Sequence, residues 1–371
     1  MIVPAYGSAT IADLMPSIGA HLGVPGCRED VLGLPNAERY VVVLVDGLGW
    51  HLVRGAIRDA PYLASLLGDG KPITAGVPST TVTSLASLGT GLPPGQHGMA
   101  GYTSRVPSTG EILNALTWES DLVARSYQSK PTLFERAAEA GVAVSSVALE
   151  RFEFSGLTEA GLRGPDFVGY AEERDTERRI ALTVAAAQRG RRSLVYAYER
   201  ELDHTGHVEG CGSSSWLRHL SRVDDMIERL RAELPDDVVL IVTGDHGMVD
   251  VPQEHQILAE DVPDLMAGVD ALAGEGRFRQ LYVDRDSPAA VAARWADHLG
   301  DRAWVRTREQ AIEDGWFGPV DPALVERWGH VLVALQTDWA VMTRQFPREL
   351  SLVGMHGSLT PAEMTVPLFV D

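Results

Sequence analysis

Apolar residues in this chain fall into short unbroken runs and longer stripes with a helical period. Tyr40-Val41-Val42-Val43-Leu44-Val45 is continuous and mostly β-branched. Such a run predicts a strand buried on both faces, the kind found in parallel sheets. Val142 to Leu149, Ser193 to Tyr198 and Val238 to Val242 read the same way. Helical patterns lie between them. Pro131 to Ala140 has Pro near its start and Gly141 just past its end. Residues 172–189 form another, and Ser213 to Leu234 places Leu217, Leu220, Val223, Ile227 and Leu230 on one face. Shorter helical patterns cover Ala12 to Leu22 and Ala60 to Leu67. Strands alternating with helices predict an α/β fold with a mostly parallel central sheet, helices on both of its faces and right-handed crossovers.

The alternation breaks down from about 251 to 345. Pro, Gly and Trp become frequent, and short strands mix with helices such as Pro288 to Leu299. This stretch is expected to be a smaller inserted cap subdomain, with residues 1–250 and 346–371 forming the catalytic core. Arg277, Phe278 and Trp316 are read first as surface or core residues of this stretch, and second as candidates for shaping a substrate pocket. Residues 95–99 are expected to be a loop, and 101–120 an irregular excursion.

Composition narrows the class. The 371 residues are 45% apolar and 22% charged, which suits a globular protein with a sizeable core. The formal charge of −19 argues against a nucleic-acid polymer as partner. A small anionic substrate stays open, provided metal ions reverse the local sign. Two cysteines, Cys27 and Cys211, do not make a disulfide framework and fit a reducing compartment. The first residues lack a basic segment followed by an apolar run, and the longest apolar runs are strand-length. A cytoplasmic protein without a membrane span is therefore expected. Nothing in the sequence sets the oligomeric state.

The chemistry gathers at strand ends. Asp46 follows the first run, Asp203 and His207 follow the 193–198 run, and Asp245-His246 follows the 238–242 run. In open α/β sheets, ligands collect outside the carboxyl ends of the strands. His356 joins them from a glycine-flanked loop. Carboxylate and neutral imidazole suit zinc, and also manganese. Gly206, Gly244 and Gly247 are read as points where the backbone bends round an ion. His97, His204 and His255 are read as neighbours rather than ligands. The stretch Val77 to Gly91 is rich in Ser and Thr and predicts a helix whose start carries hydroxyls. Such residues commonly act only as caps, but a helix start also suits a phosphate.

Several of these segments together resemble the alkaline phosphatase superfamily, and within it the nucleotide pyrophosphatase/phosphodiesterase branch. Val45-Asp46-Gly47 matches the family's strand ending in Asp-Gly. Thr90-Gly91-Leu92-Pro93-Pro94-Gly95-Gln96-His97-Gly98 is similar to its Thr-Gly-Leu-x-Pro-x-x-His-Gly, and counting back from Thr90 selects Thr81 as nucleophile. Asp203-His204-Thr205-Gly206-His207, Asp245-His246-Gly247-Met248, His356-Gly357 and Met364-Thr365-Val366-Pro367-Leu368 match further motifs. The resemblance implies two divalent metal ions, zinc or else manganese. One would be held by Asp203, His207 and His356, the other by Asp46, Asp245, His246 and the Thr81 oxygen. It also implies a donor to a phosphate oxygen, for which Ser84 is the candidate. The activity implied is hydrolysis of a phosphodiester or pyrophosphate of a small, nucleotide-like substrate through a threonine-linked intermediate. A phosphomonoesterase or phosphonate hydrolase on the same site, or a binding protein that kept the scaffold, are the alternatives. No Cys-x-Pro-x-Arg signature surrounds Thr81, which argues against a sulfatase.

Overall fold

The computed structural model describes residues 1–284 and 287–371. The continuous apolar runs become central strands: β1 (Arg39–Val45), β2 (Lys71–Thr74), β3 (Ala143–Leu149), β4 (Asp166–Tyr170), β5 (Ser193–Glu199), β6 (Val238–Gly244) and β7 (Thr365–Val370). Their spatial order is β2-β7-β6-β1-β5-β3-β4. The β6-β1-β5-β3-β4 block is parallel throughout, and β7 runs antiparallel to both β6 and β2.

Strand β1 shows why its run has no polar face. Tyr40, Val42 and Leu44 enter one apolar cluster, while Val41, Val43 and Val45 enter the other. Successive side chains point to opposite faces, so both faces need apolar cover. Helix α1 (Thr81–Thr90) covers the first with Val82, Leu85 and Leu88. The second is covered by α2 (Thr176–Ala187) and by α4 (Ser214–Glu233), which follows α3 (Glu201–Glu209). Trp216, Leu220, Val223, Ile227 and Leu230 of α4 form its buried stripe, each such aliphatic side chain contributing about 1.5–3 kcal/mol. Ser213 starts α4 by accepting a hydrogen bond from the Trp216 amide, a side-chain cap.

A second sheet lies within residues 251–345. Val269–Glu275, Phe278–Val283, Val331–Leu335 and Ala303–Thr307 pair in that order, all antiparallel. One face packs on Val291, Trp295 and Leu299 of the helix Pro288–Leu299. The other places Phe278 and Leu332 with Trp316 and Trp328 against Val77, Leu359 and Met364 of the main body. Arg277 sits at the tip of the first hairpin, fully buried, and pairs with Glu363 at 2.6 Å. Arg277, Phe278 and Trp316 therefore serve this interface as core residues, the role expected ahead of a pocket role. Residues 101–120 are more regular than expected, because Thr103–Arg105 pairs with Ile112–Asn114. The expected loop at 95–99 begins as a helical turn, Pro94–His97. Among the described residues no helix is long and apolar enough to cross a membrane.

Candidate active site

Strand register sets the site. Val45 pairs with Glu199 on one side and Gly244 on the other. The residues that follow, Asp46, Arg200 and Asp245, thus leave the sheet in one row. Asp203 and His207, expected only to follow the 193–198 strand, lie on a helix. Helix α3 begins two residues after β5, and its period brings the two side chains onto one face, with Asp203 Oδ2 3.3 Å from His207 Nε2. The glycines also act differently from the expectation. Gly206 is helical, and a Cβ there would meet the Met248 sulfur at 2.7 Å. At Gly244 and Gly247 a Cβ would meet the carbonyl oxygens of Leu48 at 2.3 Å and Ala362 at 2.0 Å. These positions allow close packing of backbone on backbone around the site.

The imidazoles share one orientation. Nδ1 of His207 lies 2.7 Å from the Gly354 carbonyl, that of His246 3.1 Å from Gly247, and that of His356 3.0 Å from Ser79. A carbonyl only accepts, so each Nδ1 carries a proton and each Nε2 is the nitrogen turned to the shared space. His246 and His356 stack with ring centroids 3.6 Å apart, and His207 lies 5.1 Å from His356. The carboxylates face the same space. Asp245 Oδ1 accepts the amides of Gly47 and His246, both at 3.0 Å, while its Oδ2 is buried without a hydrogen-bond partner. Asp203 Oδ1 is a second buried oxygen lacking a partner. Among the described residues, two groups of donor atoms cluster closely: Asp203 with His207 and His356, and Asp46 with Asp203 and His246. Asp245 Oδ2 stands 3.4 Å from His246 Nε2, beside the second group. Orphaned carboxylate oxygens and converging imidazole nitrogens in one buried volume fit divalent cations.

The electrostatics agree. Burial and the charge of Asp46 push the Asp203 and Asp245 carboxyls well above their usual range. Burial opposes charge on Asp46 too, but His246 and Tyr198 bring it below its ordinary value. Burial also opposes charge on His246, yet Asp245, Asp46 and Asp203 outweigh it and hold the imidazole up to about 10. Burial and the charge of His246 push His356 well down, and His207 is lowered chiefly by burial. Without cations the cluster is a set of carboxylates short of positive charge.

Thr81 opens α1 beside this cluster. Its Oγ1 is 3.2 Å from His246 Nε2 and 3.5 Å from Asp46 Oδ1. Thr80, at the N-cap position, makes no side-chain cap. Its hydroxyl turns to Glu275 at 3.3 Å, so the first amides of α1 have no side-chain partner. Thr81, Asp46, Asp203, His207 and His356 open on a cavity of about 710 Å³ whose wall includes Tyr102, Arg151, Phe152, Arg200, Glu275 and Arg348.

Ser84 is not brought to that cavity. It is fully buried, and its hydroxyl donates to the Asp245 carbonyl at 2.7 Å. One turn along α1 from Thr81, it faces the Asp245 loop and braces it, so the geometry does not carry the expected contact to a phosphate oxygen. His97 is buried between Ser87 Oγ and the Met99 amide, both at 3.0 Å. His204 lines the cavity, and His255 stacks on Trp339. Sequence reasoning missed Tyr198, whose hydroxyl donates to Asp46 Oδ2, and Glu275, which reaches the site from the second sheet. The alternation of Tyr196 and Tyr198 at the end of a strand was a usable signal for the first. Glu275 had none.

A family model described as type I phosphodiesterase / nucleotide pyrophosphatase matches residues 40–359. The chain belongs to this family. It is therefore a hydrolase family member with the two-sided α/β architecture of the alkaline phosphatase superfamily. A murine ectonucleotide pyrophosphatase/phosphodiesterase 5 superposes with a TM-score of 0.70 at 19% identity, over 89% of this chain and 87% of that one. An inactive variant of that protein in complex with AMP superposes equally well. Phosphonoacetate hydrolase from Sinorhizobium meliloti 1021, in complex with phosphonoformate, gives a TM-score of 0.69 at 21% identity over 91% of each chain. A search of curated protein sequences finds no match. At these identities the superpositions speak for the fold.

Proposed function

We propose that this type I phosphodiesterase family member is a metal-dependent hydrolase of a small phosphodiester or pyrophosphate, with Thr81 as nucleophile. The observation that carries the reading is the position of the Thr81 hydroxyl, at an uncapped helix start, within 3.5 Å of His246 Nε2 and Asp46 Oδ1. Asp203, His207 and His356 would hold one divalent cation, and Asp46, Asp245 and His246 the other. Bound there, the cations would lower the pKa of the threonine and of water and neutralise charge on the phosphoryl oxygens.

The chain's own residues supply the rest. His246 Nε2 and Asp46 Oδ1 flank the Thr81 oxygen and fix its position, and the Thr81 proton passes to solvent water. The free amides at the start of α1 point toward developing negative charge. In-line attack by Thr81 Oγ1 forms an O–P bond and expels the leaving group toward the large cavity, leaving a phosphorylated or nucleotidylated threonine. Water then breaks that bond and restores the hydroxyl.

Phosphonate hydrolysis is a second reading, supported by the superposition on phosphonoacetate hydrolase. The two separate in one experiment. Protein reconstituted with zinc or manganese is assayed for release of p-nitrophenol from bis-p-nitrophenyl phosphate and p-nitrophenyl phosphate, and of phosphate from phosphonoacetate. The diester is expected to have the highest kcat/KM, with activity abolished by chelator and by Thr81→Ala. Preference for phosphonoacetate would favour the second reading. Full metal-dependent activity in both Thr81→Ala and Asp245→Asn would overturn the site.

A further inference from the structure

The donor set is held in place mostly by main chain. The three imidazoles are fixed by peptide carbonyls and Asp245 by two peptide amides. Such partners come with the fold. Asp46 is held differently, by the side-chain hydroxyl of Tyr198 on its Oδ2. The other oxygen, Oδ1, lies 3.3 Å from His246 Nε2 and 3.5 Å from Thr81 Oγ1. The tyrosine itself has little freedom. Its backbone sits in the β5 ladder opposite Leu44, and its ring stacks near Tyr196 at 6.3 Å and meets the edge of Phe152 at 5.8 Å.

A carboxylate on a short side chain can swing about its χ2 bond and present either oxygen, or both, to a cation. With Oδ2 occupied by a fixed donor, only Oδ1 is presented. We infer that Tyr198 is a positioning residue that makes Asp46 a single-oxygen ligand of the cation beside Thr81. The inference rests on the metal-dependent reading above and assigns to Tyr198 a share of one site's affinity and none of the other's. Partners in this outer position typically change metal affinity about 10–100-fold.

The test is a competition titration of metal-stripped protein with zinc against a chromophoric chelator, for wild type and Tyr198→Phe. Wild type is expected to take up two ions per chain. Tyr198→Phe should weaken one of them about 10–100-fold and leave the other within about threefold. Cobalt substitution should show the altered visible spectrum at the weakened site alone. In an Asp46→Asn background, Tyr198→Phe should have no further effect on affinity. This cycle also serves if one of the single variants folds poorly. A merely structural hydroxyl would lower the thermal midpoint of metal-stripped Tyr198→Phe and leave both affinities unchanged. That result, or equal weakening of both sites, would overturn the assignment while leaving the hydrolase reading intact. Wild-type protein that takes up no transition ion would sink both.

Discussion

Ser84→Ala separates two accounts of one hydroxyl. The structure has Ser84 fully buried and donating at 2.7 Å to the Asp245 carbonyl. Removing the hydroxyl leaves that carbonyl without this donor in a dry environment, at a cost of about 1–3 kcal/mol. A chain of this length unfolds with an entropy of about 0.8 kcal/mol/K, from roughly 2.1 cal/mol/K per residue. The thermal midpoint should therefore fall by about 1–4 °C. The loosened loop carries Asp245, so metal affinity should also fall, while kcat at saturating metal changes by less than about tenfold. A hydroxyl that instead bound a phosphate oxygen would leave the midpoint in place and cost about 10²–10³ in kcat. Differential scanning calorimetry of the metal-stripped protein and steady-state kinetics in excess zinc read the two quantities independently. An unchanged midpoint with a hundredfold loss of kcat would refute the bracing role.

Three further outcomes follow from the geometry. With its imidazole held up to about 10, His246 is charged at neutral pH in metal-free protein, so metal uptake should release protons and tighten as pH rises from 6 to 9. Calorimetric titrations in Tris and HEPES, whose ionisation heats differ, should give different observed enthalpies, and equal ones would contradict this. Glu199 is buried, but Arg179 at 2.6 Å and His219 at 3.1 Å hold its carboxyl down to about 2 from an ordinary 4.5. Its contribution is complete above the unfolded value of 4.5 and is lost as pH falls toward 2, about 3 kcal/mol in all. Denaturant midpoints of wild type should drop more steeply over that window than those of Glu199→Gln, and parallel acid limbs would disprove the linkage. Gly247→Ala would set a Cβ 2.0 Å from the Ala362 carbonyl oxygen. The Asp245-His246 turn must then shift, with loss of soluble protein or of one bound metal; a variant that keeps both at wild-type levels would show the contact to be soft.

The central sheet was legible because a strand buried on both faces needs an unbroken apolar run, and the middles of β1, β5 and β6 supply one. The placement of Asp46 and Asp245 followed from those strands ending together. Asp203 and His207 were found from their residue types and their place after a strand, without their local structure. Nothing in Asp-His-Thr-Gly-His announces a helix, and Gly206 argues against one until its close contact with Met248 is seen. The direction of the Ser84 hydroxyl was not legible, because a helix start offers hydroxyls to either side, and only the packing of α1 against the Asp245 loop decides which way each faces. Glu275 was invisible because its approach depends on how the second sheet docks. Pairing of that kind, between distant segments, leaves no local pattern.

Trapping the covalent intermediate tests the central claim most directly. Metal-loaded enzyme turning over bis-p-nitrophenyl phosphate is quenched in acid, digested and mapped by mass spectrometry. The account predicts a p-nitrophenyl phosphoryl adduct on Thr81, and none on Thr81→Ala, which should be inactive. An adduct on another residue, or sustained metal-dependent turnover by Thr81→Ala, would contradict it.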